Sequence, residues 1–118
     1  MFDWSSFLDV ADELATRRGQ EAWERTAISR AYYAAFHAAR DYVRLRNGAS
    51  AGGKLTHDRV WSEIASVSAS ISQDGRRLHG WRKNADYDQR YPGRDLSRAT
   101  VAAIILARSV LDDIKRLP

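Results

Sequence analysis

Arg82, Asp86 and Tyr87 stand in the order R-x-x-x-D-Y, with His79 three residues before the arginine. On a helix, Arg82 and Asp86 form an i, i+4 pair able to make a bidentate ion pair. Around them run Trp81, Tyr87 and Tyr91, interleaved with Arg76, Arg77, Lys83 and Arg90. Cations neutralise phosphate and flat rings stack bases, so this mixture suits a single-stranded nucleic acid. The plainer reading is a solvated connector. In it Asp86 holds Arg82, Trp81 and Tyr87 anchor the chain, and Pro92-Gly93 turns it into the next element.

The charge distribution favours the first reading. The chain carries a formal net charge of +4. Between Arg76 and Arg98 lie seven basic residues (Arg76, Arg77, Arg82, Lys83, Arg90, Arg94 and Arg98) against three acids (Asp86, Asp88 and Asp95). Elsewhere the two signs balance, so the whole surplus sits in this stretch and polyanions are plausible partners. The candidate ligand-binding residues are accordingly Arg76, Arg77, Trp81, Arg82, Lys83, Asp86, Tyr87 and Arg90.

A second constellation lies in SRAYYAAFHAARDY, where Arg30 and His37 are about two helical turns apart on nearly one face. A packed histidine on an aromatic face and a surface arginine is the plain account of that pair. Other chemistry is excluded by spacing. His37, His57 and His79 show no HxxxH or HxH pattern, so no metal site is expected. Gly48, Gly52 and Gly53 lack the flanking signature of a phosphate loop, and no serine stands in a nucleophile elbow. With no cysteine, neither a disulfide framework nor a thiolate site exists.

The elements that must position these residues read as helices. The spacing predicts a first helix over Asp3–Arg18, with Phe7, Leu8, Ala11, Leu14 and Ala15 in one stripe and Gly19 as its stop. A long helix follows from Gln20 to about Arg46, its middle AYYAAFHAA apolar nearly all round. NGASAGGK, Asn47 to Lys54, reads as a loop. Thr56 caps a helix carrying Val60, Trp61, Ile64, Val67 and Ile71 that is expected to end near Asp74-Gly75. The last helix starts with Asp95 or Ser97 as cap and runs to about Leu117.

No strand pattern and no internal repeat occur. A chain of 118 residues, 44% of them hydrophobic, is expected to be a single domain over residues 1–118. Its expected fold is an all-α, antiparallel, up-and-down bundle of four to five helices. The all-round apolar long helix, with Trp23 and Trp61 on faces still available, suggests a homodimer. With no basic leader and no apolar run near the ~18 residues a membrane span needs, the expectation is a cytoplasmic protein without a membrane partner.

The two constellations together resemble the HEPN family (higher eukaryotes and prokaryotes nucleotide-binding), small helical domains of toxin–antitoxin and defence systems. SRAYYAAFHAARDYV is similar to the family's A-Y-Y-A-x-x-x-A-A signature, and WRKNADYD to its R-x-x-A-D-Y element before the last helix. The resemblance covers roughly Glu21 to Leu117. It implies a helical bundle, a homodimer with a polar cleft near the interface, RNA or nucleotide as ligand, and in some members a nucleotidyltransferase partner.

In the nuclease branch, an R-x(4–6)-H motif cuts RNA without metal or cofactor. The arginine stabilises phosphorane charge while the histidine moves the 2′-hydroxyl proton. Here the positions where that histidine would fall after Arg82 hold Tyr87, Asp88 and Gln89. Arg30 and His37 satisfy R-x(6)-H as a string, but on a helix where the family does not place its catalytic pair. The resemblance therefore implies a binding module around Arg82. The alternatives are a metal-independent ribonuclease using Arg82 with His79 or His37, and a purely structural dimerising adaptor.

Overall fold

In a computed structural model, which describes residues 2–48, 54–93 and 95–118, the chain folds into five helices. They are α1 (Ser6–Ala15), α2 (Glu21–Asn47), α3 (His57–Ala65), α4 (Ala69–Tyr87) and α5 (Leu96–Lys115). No strand occurs among the described residues. The bundle is all-α, as expected.

The helix ends follow local chemistry. Asp3 accepts from the Ser5 backbone N–H at 3.0 Å and from its hydroxyl at 2.7 Å, forming a side-chain turn. That turn delays α1 to Ser6, so the expected start at Asp3 is too early. Gly19, at φ +80°, breaks the chain before α2. Thr56 accepts from the Arg59 N–H at 3.1 Å, and Asp95, rather than Ser97, caps α5 by accepting from the Arg98 N–H at 3.1 Å. Most of the expected loop at 47–54 falls on residues 49–53, outside the described residues.

The largest departure concerns the third expected helix and the stretch after it. The chain breaks at Ser66–Ser68, where Ser68 caps a new helix by accepting from the Ile71 N–H at 3.2 Å. That helix runs through Gly75 to Tyr87, so most of the supposed connector is helical. Gly75 is buried there against the Trp61 ring, which leaves no room for a Cβ. The residue read as a stop signal is a close-packing position.

Side-chain ties give the directions of the helices. Trp4 donates to Asp41 at 2.8 Å, joining the start of α1 to the end of α2. Arg25 donates to the carbonyls of Ala85, Asp88 and Gln89, joining the start of α2 to the end of α4. Thr100 lies beside the Glu24 carbonyl and Tyr42 reaches the Pro118 carbonyl, so α2 and α5 run parallel. Successive long helices thus alternate up and down, with α2 at the centre.

Helix α2 buries Ala27, Ile28, Ala31, Tyr32, Ala34, Ala35, Phe36, Ala39 and Val43 against the four other helices. Its all-round apolar character is satisfied within one chain, and Trp61 is fully buried. Packing of the long helix therefore gives no reason for a second copy. Trp23 is exposed, but its ring is covered by the Arg17 guanidinium, 4.1 Å from its centroid.

Candidate functional site

The site forms where α4 lies antiparallel across α2. On α4, His79, Arg82 and Asp86 follow at spacings of three and four, which aligns them on one face. On α2, Arg30, Tyr33, His37 and Arg40 do the same at spacings of three, four and three. Ala85, a small buried residue whose carbonyl accepts from Arg25 of α2, lets the two helices approach.

At the centre, Arg82 Nε donates to Asp86 Oδ2 at 2.8 Å, and Ser29 donates to the same oxygen at 3.3 Å. The Arg82 side chain is only 13% exposed and that of Asp86 28%. Its guanidinium carbon lies 5.1 Å from the Tyr33 ring centroid and 5.4 Å from that of Tyr87. Burial works against the Arg82 charge, but Tyr33 and Asp86 outweigh it and raise its pKa. Arg82 is thus a positioned cation, with only part of its donor fork spent on the protein.

Beside it the three histidines converge. The rings of His57 and His79 stack with centroids 4.7 Å apart, and His57 stacks on Phe36 at 4.1 Å. Tyr33 touches both His37 and His57, with centroids 5.7 Å and 6.0 Å away. Burial, then the neighbouring Arg40, depresses His37 to about 4. Burial and the adjacent His57 bring His79 to about 4, and burial with Arg82 and Arg40 lowers His57 as well. At neutral pH all three are uncharged, each carrying one N–H donor and one acceptor nitrogen.

Of the catalytic candidates, the fold brings Arg82, His79 and His37 to one face. His37 is covered, because Trp4 stacks on it at 3.9 Å. The ligand-binding candidates divide. Arg82 and Asp86 form the centre, exposed Lys83 lies close enough to act on His79, and Tyr87 stands 73% exposed at the edge. Arg76 is tied to α3 by Asp58 at 2.9 Å and Ser62 at 3.0 Å. Arg77 lies about 140° from Arg82 around α4 at ~100° per residue. Trp81 packs its ring on the core. Arg90, beyond the helix, lines a separate cleft of about 410 Å³ with Glu21 and Tyr91. Arg77, Trp81 and Arg90 do not belong to the Arg82 face, and Arg76, though close enough to act on His79, is spent on α3.

Sequence reasoning missed Ser29, Tyr33, Arg40 and above all His57. For the α2 residues a signal was present, since Arg30, Tyr33, His37 and Arg40 form a polar stripe on an alanine-rich helix. His57 carries no such local mark, because only the return of α3 onto α2 places it there. No group of His, Asp or Glu among the described residues is arranged to hold a metal ion. No protein-family model, curated protein or solved structure matches the chain.

Chemically, the face offers Arg82, Arg40 and Arg30 for phosphate oxygens, neutral imidazole N–H groups for the same atoms, and the Tyr33 and Tyr87 rings for bases. No helix among the described residues is long and apolar enough to cross a membrane.

Proposed function

We propose that this chain is a HEPN-like binding module that holds RNA or a nucleotide on the face formed by α2 and α4. The observation that carries the reading is the Arg82–Asp86 pair, laid against Tyr33 and flanked by uncharged histidines. A cation fixed by a carboxylate and a tyrosine ring presents its remaining N–H groups in a set direction, as phosphate recognition requires. A toxin–antitoxin or defence setting, a homodimer and a nucleotidyltransferase partner are what the resemblance adds to this reading.

The test is binding of a labelled single-stranded RNA, with ATP as a competing arm, to the wild type and Arg82→Ala. Weaker binding in the variant supports the proposal, with the log–log salt slope reduced by roughly one for each phosphate that is no longer neutralised. Unchanged affinity and slope overturn it.

A second reading, metal-independent RNA cleavage, is favoured by the position of His79 one turn before Arg82 and against His57. A neutral imidazole beside a guanidinium is equipped to take a proton from a 2′-hydroxyl. Cleavage in EDTA that is abolished in Arg82→Ala and in His79→Ala is the outcome that promotes this reading over simple binding.

A further inference from the structure

One chain of polar side chains runs from the core to the Arg82 face. Trp61, fully buried, donates its indole N–H to the Tyr32 hydroxyl at 3.2 Å. The Tyr32 hydroxyl in turn lies 2.6 Å from Nδ1 of His57. An indole N–H can only donate, and a phenol has a single proton. With its oxygen already accepting from Trp61, Tyr32 uses that proton on His57 Nδ1. The reverse arrangement would strand the proton of a fully buried hydroxyl, at a cost of roughly 1–3 kcal/mol.

The direction of these bonds fixes the tautomer of His57. Nδ1 is the acceptor, so the ring proton sits on Nε2. Rotation is resisted by Phe36 on one side, stacked at 15°, and His79, stacked at 11°. Nε2 has no partner among the described residues, and it is not an enclosed orphan atom as Nδ1 of His37 is. The charged and titratable groups packed around His57 are Tyr32, Tyr33, His37 and Arg40 of α2 and His79 and Arg82 of α4. None of them is an anion at neutral pH.

We infer that His57 is a fixed hydrogen-bond donor to a phosphate oxygen, its Nε2–H aimed outward beside Arg82 and Arg40 by the Trp61–Tyr32 relay. The inference rests on the reading of this face as a phosphate-binding one, and names the residue that adds direction to its charge. A second proton on His57 would have to go on Nδ1, against the Tyr32 hydroxyl. His57 therefore keeps donating as a neutral group, and its contribution to binding is flat from pH 6 to pH 8, roughly the range in which an ordinary histidine titrates.

The experiment combines imidazole 15N NMR with RNA binding. In the free wild type, His57 is expected in the Nε2–H form at pH 7, and inorganic phosphate or a short single-stranded RNA should shift its Nε2 resonance. An Nδ1–H form in the free protein overturns the inference without any variant. His57→Gln, whose amide nitrogen falls near the Nε2 position, should keep most of the RNA affinity, whereas His57→Asn and Tyr32→Phe should each weaken it roughly tenfold, the equivalent of one hydrogen bond to a charged group.

Thermal unfolding confirms that each variant is folded. Should Tyr32→Phe fail to fold, the Gln and Asn pair still decides. Impaired binding in Arg82→Ala with full binding in His57→Asn overturns the role of His57 and leaves the binding face standing. No response to RNA, ATP or phosphate in any of these proteins removes both.

Discussion

The Trp61 indole lies flat against the backbone of Gly75, filling the space a side chain would occupy. This contact lets α3 and α4 close on one another while both press on α2. Gly75→Ala must displace a fully buried tryptophan, so a destabilisation of about 3 kcal/mol or more is expected. Gly80, on the same helix, has open space where a Cβ would sit. Gly80→Ala should stabilise by roughly 0.5–1 kcal/mol, because the only change is reduced backbone freedom in the unfolded chain. Urea unfolding of both variants checks the contrast; similar effects from the two would show that Trp61 moves freely.

Arg25 closes the end of α4. Its guanidinium donates to the carbonyls of Ala85, Asp88 and Gln89 and pairs with Glu21 at 3.0 Å. Those carbonyls have no partner further along the helix, so Arg25→Ala is expected to destabilise by about 1–3 kcal/mol and to fray the last turn, next to Asp86. Hydrogen exchange of the amides from Lys83 to Asp88 should accelerate while exchange near Leu78 does not. Uniform acceleration would mean that α4 unfolds only with the whole domain.

The histidines set an acid limit. Each has a folded pKa below its unfolded value near 6.5, with His37 and His79 at about 4. Below pH 6.5 the unfolded chain binds more protons than the native one, so stability is fully present above that pH and declines as pH falls toward 4. The combined decline, discounted for solvent screening of half-buried groups, is on the order of 2 kcal/mol. Denaturation midpoints from pH 7.5 to pH 5 should show it before most carboxylates titrate. His79→Gln should flatten part of it, and a flat wild-type profile would contradict the burial of these rings.

Trp4 caps one end of the histidine face. Its ring stacks on His37 and its indole N–H donates to Asp41 at 2.8 Å. Trp4→Ala should raise the His37 pKa by roughly one unit, since burial is the largest cause of its depression. An NMR titration of the imidazole Cε1–H resonance measures this. An unmoved midpoint would assign the desolvation to Phe7 and Tyr33 instead.

Several elements were legible from the residues alone. Apolar spacing gave α2 and α5 to within a few residues, because one-sided burial leaves a periodic trace in the chain. Thr56 and Asp95 act as the caps they resemble, because capping needs only a side chain and the next turn. The pairing of Arg82 with Asp86 followed from helical spacing once the stretch was treated as helix.

What sequence misjudged was decided by distant contacts. Gly75 looked like the end of a helix, and only the arrival of Trp61 explains why a helix passes through it. The stretch from Arg76 to Tyr87, with its dense charge, continues as helix, and Arg25 of α2 holds its far end. His57 had no motif to mark it, yet the return of α3 sets it against Phe36 and His79 and beneath the Tyr32 hydroxyl. Local pattern, then, determined which residues become helix and which face is apolar. Tertiary packing decided where two helices meet, which glycine is a seat for a ring, and which of the charged residues share a face, since those depend on side chains many residues apart competing for the same space.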